Sequence, residues 1–143
     1  KFGATFIVND HPEIAAEVEA DGVHVGQDDL AIQAARNILG GAAIIGLSTH
    51  TIDQARAARG VDYIGFGPIF STSTKENAGS PRGVEQLSHA VDAASVPVVA
   101  IGGIMPSNVA AVHASGAHAW AMVSGLNRFS SAREAVIAAH PQP

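Results

Sequence analysis

The chain has 143 residues, 47% of them hydrophobic and 15% charged, which is the range of one globular domain and excludes a disordered chain. A net charge of -5 leaves no basic field to hold nucleic acid or an anionic membrane surface, and the absence of cysteine excludes disulfides and thiolate metal ligands. The apolar runs are strand-sized and Lys1-Phe2-Gly3 lacks the charged-then-apolar pattern of a signal peptide, so a cytoplasmic protein acting on small molecules is expected, with no nucleic-acid or membrane partner.

Short β-branched runs begin near Thr5, Val23, Ile44, Tyr63, Val98 and Ala119 and alternate with Ala-rich amphipathic stretches, predicting six strand–helix repeats. The first helix has Pro12 in its first turn, Ile14 and Val18 on one face, and Gly22 just beyond its end. Ala43-Ile44-Ile45-Gly46-Leu47 and Val98-Val99-Ala100-Ile101 are continuously apolar, as expected of parallel strands buried on both faces. Thr51 with Gln54, and Ser131 with Glu134, have capping-box spacing and predict helix starts. Ser107-Asn108 reads as a further cap, with Gly116 as the left-handed stop of its helix. The segment from Gly67 to Gly83 breaks the regular spacing; it carries Pro68, Ser71, Thr72, Ser73, Thr74 and Lys75 and is longer than a minimal strand-to-helix turn. No linker divides the chain, so residues 1–143 are read as one α/β unit. Repeats of this kind leave the closed TIM-type barrel and the open doubly wound sheet as architectures.

Two glycine-bearing strand ends on consecutive strands, Ile101-Gly102-Gly103-Ile104 and Val123-Ser124-Gly125-Leu126, favour the barrel. The loops after a barrel's last two strands commonly bind phosphate through backbone N–H groups. Tight turns alone would also explain the glycines. On the first two strands, Asp10 and Asp29 stand at the ends and could present oxygens to one magnesium ion; equally, each could cap the helix that follows. Lys75, in a hydroxyl-rich loop, suits a phosphate but also suits plain solvent exposure. His24, between Val23 and Val25, reads as a hydrogen-bonded structural group, and His50 at a strand end as a weaker catalytic candidate than the carboxylates. Trp120 and Met122 read as core.

Taken in order, Phe6-Ile7-Val8-Asn9-Asp10, Asp21-Gly22-Val23-His24-Val25-Gly26-Gln27-Asp28-Asp29, Ile45-Gly46-Leu47-Ser48-Thr49-His50, Tyr63-Ile64-Gly65-Phe66-Gly67-Pro68, Thr72-Ser73-Thr74-Lys75 and Pro97-Val98-Val99-Ala100-Ile101-Gly102-Gly103-Ile104 resemble the thiamine-phosphate synthase family. That resemblance implies a TIM-type barrel that couples hydroxymethylpyrimidine diphosphate to a thiazole phosphate with magnesium. By position it implies that Asp10 and Asp29 hold the metal. Asn9, Ser48 and Lys75 would bind the pyrimidine and its leaving diphosphate, Ser48 and Lys75 acting in catalysis. Thr72, Thr74, Gly103, Val123 and Ser124 would surround the thiazole phosphate.

Two departures accompany the resemblance. The first run corresponds to the family's third strand, so six of eight barrel units are expected, without the family's Gln/Arg/Lys cluster. The apolar edges so exposed are expected to favour association, including a homo-oligomer. The second departure is His11, where the family usually has Arg. A related thiazole tautomerase shares Ser124-Gly125 but usually carries His at the position of Pro68, and a non-catalytic phosphate- or thiazole-binding module is the remaining alternative.

Overall fold

A computed structural model describes residues 3–27, 32–74 and 79–140. Its elements follow the expected alternation: β1 (Ile7–Asn9), α1 (Pro12–Glu17), β2 (Gly22–Val25), α2 (Ile32–Leu39), β3 (Ile44–Thr49) and α3 (Ile52–Ala57) come first. Then come β4 (Tyr63–Phe66), α4 (Gly83–Ala93), β5 (Val98–Ile101), α5 (Val109–Ala114), β6 (Ala119–Ala121) and α6 (Ala132–Ala139). All strands are parallel and pair in chain order from β1 to β6, so each unit lies beside the next and none crosses over another. That order is the barrel's; a doubly wound sheet reverses direction at a switch point. The sheet is an open, TIM-type α/β half-barrel of six units.

Alternation along each strand divides the side chains into two layers. One layer packs beneath the helices: Val23, Val25, Ile45, Ile64, Phe66, Val98 and Ala100 have no exposed surface, nor do Ala15, Ala35, Ala55 and Ala90 on the helices above them. Alanine at these helix positions lets the helix backbone lie close to the strands, and each large side chain so buried contributes about 1.5–3 kcal/mol. The other layer is the concave face, where Asn9, His24, Gly46 and Tyr63 stand in one register row and Ser48, Gly65, Val99 and Ala119 in the next. This face is not buried as the apolar runs suggested: Ile101 is 43% exposed and Val99 only half-buried. Helices cover only one side of the strands; the other carries Asn9, His24, Ser48 and Tyr63 beside its apolar residues.

Several local expectations change. Gly22, expected just beyond the end of α1, is the first residue of β2, where an added Cβ would fall 1.9 Å from the Ile44 carbonyl oxygen. α1 packs through Pro12 and Ala15, leaving Ile14 and Val18 about half exposed instead of facing the core. Large exposed apolar side chains concentrate in the first and last units, at Phe6, Ile14 and Val18 and at Val123, Val136 and Ile137. The α3 capping box is complete, and Ser131 accepts from the Glu134 N–H at 3.2 Å to cap α6. Gly116 takes the left-handed conformation at φ 85° after α5. Trp120 packs against the core as expected and donates its indole N–H to the Ala139 carbonyl at 2.9 Å, tying α6 to the last strand. Among the described residues, no helix is long and apolar enough to cross a membrane.

Candidate active site

At the carboxyl ends of the strands lies a cavity of about 490 Å³, within the range of small-molecule sites. Asn9, Asp10, Ser48, Thr72, Thr74, Gly103, Val123 and Ser124 all line it. The structure therefore brings together candidates that are up to 115 positions apart in the chain (9 to 124). Asp29 and Lys75 lie outside the described residues.

Asp10 sits immediately after β1 in the left-handed conformation, φ 66°, which a non-glycine residue rarely adopts. Its backbone N–H donates to the His24 carbonyl at 2.8 Å, and its carboxylate accepts the Asn9 side-chain amide at 2.6 Å. The N-cap position of α1 belongs to His11, whose side chain makes no capping hydrogen bond, so the capping alternative for Asp10 is not realised. Strained backbone of this kind clusters at functional sites, and here it delivers a carboxylate to the cavity wall. No cluster of three or more metal-type ligands occurs among the described residues. Asp10 supplies one hard oxygen donor of the type magnesium takes; a two-carboxylate site depends on Asp29.

The far wall is built from two glycine-bearing turns. Gly102 and Gly103 have φ of 94° and 65°, and a Cβ on them would meet Pro68 at 2.5 Å and the Ser71 carbonyl oxygen at 2.5 Å respectively. Backbone bonds from Ile69 N–H to the Ile101 carbonyl (2.9 Å) and from Phe70 N–H to the Gly102 carbonyl (3.0 Å) then lock the start of the long loop against β5. That loop is not uniformly polar, since Pro68 and Ile69 are buried; it reaches the cavity through Gly67 and Pro68 at its start and through the Thr72 and Thr74 hydroxyls beyond. Asn108 was expected to cap α5, but its side chain makes no capping bond. It accepts from the Met105 N–H at 2.8 Å and donates to the Gly103 carbonyl at 3.0 Å, bracing the turn itself.

Histidines also line the cavity. His50 Nδ1 lies 2.7 Å from the Gly67 carbonyl; a carbonyl only accepts, so Nδ1 carries the proton. His24 is hydrogen-bonded, as its place between two valines suggested: Nδ1 is 2.9 Å from the Tyr63 hydroxyl and Nε2 is 2.9 Å from Ser48 Oγ. Its position on the cavity wall and its link to Ser48 were not expected. The signal was present in the chain, because the alternation that turns His24 away from Val23 and Val25 turns it toward Gly46 on the neighbouring strand.

Parallel strands in barrel order with a polar cavity at their carboxyl ends define a (β/α)-barrel small-molecule site. Comparison with known proteins narrows the class. A model of the thiamine monophosphate synthase family matches residues 1–126, and the chain belongs to that family. Thiamine-phosphate synthase from Pelotomaculum thermopropionicum is 54% identical over 126 residues, a match covering 87% of this chain and 58% of the relative. The corresponding protein of Moorella thermoacetica is 50% identical over 126 residues, covering 87% of this chain and 60% of the relative. Among solved structures, thiamine phosphate pyrophosphorylase from Pyrococcus furiosus superposes with a TM-score of 0.85 at 35% identity, over 95% of this chain and 65% of that one. The chain thus spans somewhat under two thirds of the length of these relatives.

Proposed function

We propose that this chain carries the substrate-binding strand ends of a thiamine-phosphate synthase, a transferase coupling hydroxymethylpyrimidine diphosphate to hydroxyethylthiazole phosphate and releasing diphosphate. The observation supporting this most directly is the convergence of Asn9, Asp10, Ser48, Thr72, Thr74, Gly103, Val123 and Ser124 on one cavity in a chain of that family. Residues 1–143 act as one unit equivalent to barrel units three to eight, in the cytoplasm.

In this reading Asn9 and Ser48 orient the pyrimidine. The Thr72 and Thr74 hydroxyls, the Gly103 backbone and the Val123-Ser124 turn hold the thiazole phosphate by hydrogen bonds to its oxygens. Asp10 and Asp29 hold a magnesium ion, which when bound offsets the negative charge of the departing diphosphate. Lys75 adds an ammonium to the same leaving group. The C–O bond at the pyrimidine methylene breaks, the electron pair leaving with the diphosphate, and the thiazole nitrogen closes the new C–N bond. No side-chain nucleophile is needed; the protein positions the partners and stabilises the charge that develops.

Diphosphate release from both substrates in the presence of magnesium tests the proposal. Release that depends on both substrates and falls at least roughly a hundredfold in Lys75→Ala, the scale of a lost electrostatic donor, supports it. No release by the wild-type chain, with thiazole phosphate still bound, identifies a phosphate-binding module instead. The tautomerase reading finds less support, because Pro68 stands on the cavity wall where that enzyme usually carries its histidine.

A further inference from the structure

His24, Tyr63 and Ser48 form a hydrogen-bonded chain across three adjacent strands of the concave face. The hydroxyl of Tyr63 lies 2.9 Å from His24 Nδ1, and His24 Nε2 lies 2.9 Å from Ser48 Oγ. Ser48 and His24 border the cavity, whereas Tyr63 does not. The two rings meet at a centroid distance of 5.4 Å in the space left by two glycines. A Cβ on Gly46 would fall 2.2 Å from Tyr63 Cζ and 2.4 Å from His24 Nδ1, and one on Gly65 would fall 3.1 Å from His24 Cε1. Ser48 is held at its backbone as well, its carbonyl accepting the Gln27 side-chain amide at 2.8 Å.

A neutral imidazole has one N–H donor and one acceptor nitrogen, so the two bonds of His24 must run in the same direction along the chain. Either Tyr63 donates to Nδ1 and Nε2–H donates to Ser48, or Ser48 donates to Nε2 and Nδ1–H donates to Tyr63. Burial pushes the Tyr63 phenol upward, so it keeps its proton. The acceptor placed for that proton among the described residues is His24 Nδ1. The reverse direction would strand the phenolic proton in a half-buried position, which costs more than the hydrogen bond returns. The first direction leaves the Ser48 oxygen occupied as an acceptor and its proton free to point into the cavity.

We infer that Tyr63 is a positioning residue which, through His24, commits the Ser48 hydroxyl to act as a hydrogen-bond donor toward the bound ligand. The partner of Ser48 is then a neutral or anionic acceptor, such as an unprotonated ring nitrogen, and not a donor such as an exocyclic amine. The identity of that ligand rests on the synthase reading above; the polarity of the chain does not.

Two measurements on the full 143-residue chain decide the matter. The first is the two-bond proton–nitrogen correlation spectrum of His24 at about pH 8, well above the ordinary imidazole value. The expected result is a neutral ring protonated on Nε2, with Tyr63→Phe shifting the population toward the Nδ1-protonated form. An Nδ1-protonated ring in the wild type overturns the inference. The second is calorimetric titration with thiamine phosphate. Tyr63→Phe and Ser48→Ala are each expected to weaken binding roughly fivefold, the size of one neutral hydrogen bond, and the double variant is expected to lose no more than either alone. Additive losses, or full affinity in Tyr63→Phe, overturn it. If the wild type fails to bind thiamine phosphate, the synthase reading falls while the tautomer still decides the polarity.

Discussion

The carboxylate of Asp62 accepts the Ile45 N–H at 2.8 Å while the Asp62 N–H returns to the Ile45 carbonyl at 2.8 Å, so one residue ahead of β4 clamps β3 with two bonds. Asp21 holds Phe6 the same way ahead of β2, at 2.7 and 2.9 Å. Ahead of β6, His118 does so with an imidazole, taking the Val98 N–H at 3.1 Å and donating its own N–H to the Val98 carbonyl at 3.0 Å. The same clamp therefore recurs ahead of every second strand, at the end of the barrel opposite the cavity. Polar side chains at that end serve stability, while those at the carboxyl ends are left for ligands.

Asp62 makes this testable through acid. Desolvation by burial alone would raise its carboxyl, but the Ile45 N–H and the Arg36 guanidinium 3.0 Å away outweigh that and lower it below the ordinary carboxylate range. A group lowered in the folded state contributes stability that is present above its unfolded value and lost as pH falls through the folded one. The Asp62 side chain is 49% exposed, so solvent screens the pair and the expected contribution is only about 1 kcal/mol. Urea unfolding of Asp62→Asn should show that loss at neutral pH, with the gap to wild type closing as the pH falls through the lowered Asp62 value. A gap that persists in acid would mean that geometry and not charge carries the interaction.

Gly46 sets the second expectation. Its missing side chain makes room for Tyr63 and His24, and neither neighbour is the free end of a flexible chain. Gly46→Ala should destabilise the protein by roughly 2–3 kcal/mol, the scale of overpacking in a dense interior. Pairing it with Tyr63→Ala should recover part of that loss. Equal stability of Gly46→Ala and wild type in urea would show that the rings move aside without cost.

The strand–helix alternation was legible because parallel strands and their covering helices have different periods, and because Thr51 and Ser131 mark helix starts with short-range chemistry. The β-branched and apolar runs begin where strands begin at Ile44, Tyr63, Val98 and Ala119. What local pattern could not convey was the partner of each surface. Ile14 and Val18 have helix-core spacing yet are exposed, and the concave face of the apolar strand β5 is partly open at Ile101, because periodicity reports a face and not what lies against it. The cavity wall was legible through glycines and hydroxyls at strand ends. The His24–Ser48–Tyr63 chain was not, because it depends on register across three strands, which no single segment encodes.

Asp29 is expected to act with Asp10 on magnesium. Asp29→Asn removes one negative charge but keeps a helix-capping oxygen, so it separates metal binding from capping. The expected outcome is a magnesium requirement shifted at least about tenfold upward in diphosphate release, the scale of a lost metal-site interaction, with the urea midpoint unchanged. A magnesium titration that matches wild type would assign Asp29 to the cap alone.

Asn108 gives the sharpest test of the phosphate wall, because it touches the turn without bordering the cavity. Its amide bridges the Met105 N–H and the Gly103 carbonyl, fixing the peptide whose N–H groups are proposed to face the thiazole phosphate. Asn108→Ala loses both bonds and should cost about 1–2 kcal/mol of stability, together with roughly tenfold in affinity for thiazole phosphate. Asn108→Asp keeps the acceptor for Met105 but loses the donor to Gly103 and brings a carboxylate near the phosphate. It should therefore bind more weakly than the alanine variant while unfolding closer to wild type. Calorimetric binding and urea unfolding, measured on the same two variants, separate these outcomes: affinity that simply tracks stability would make Asn108 a structural brace with no part in setting the anion wall.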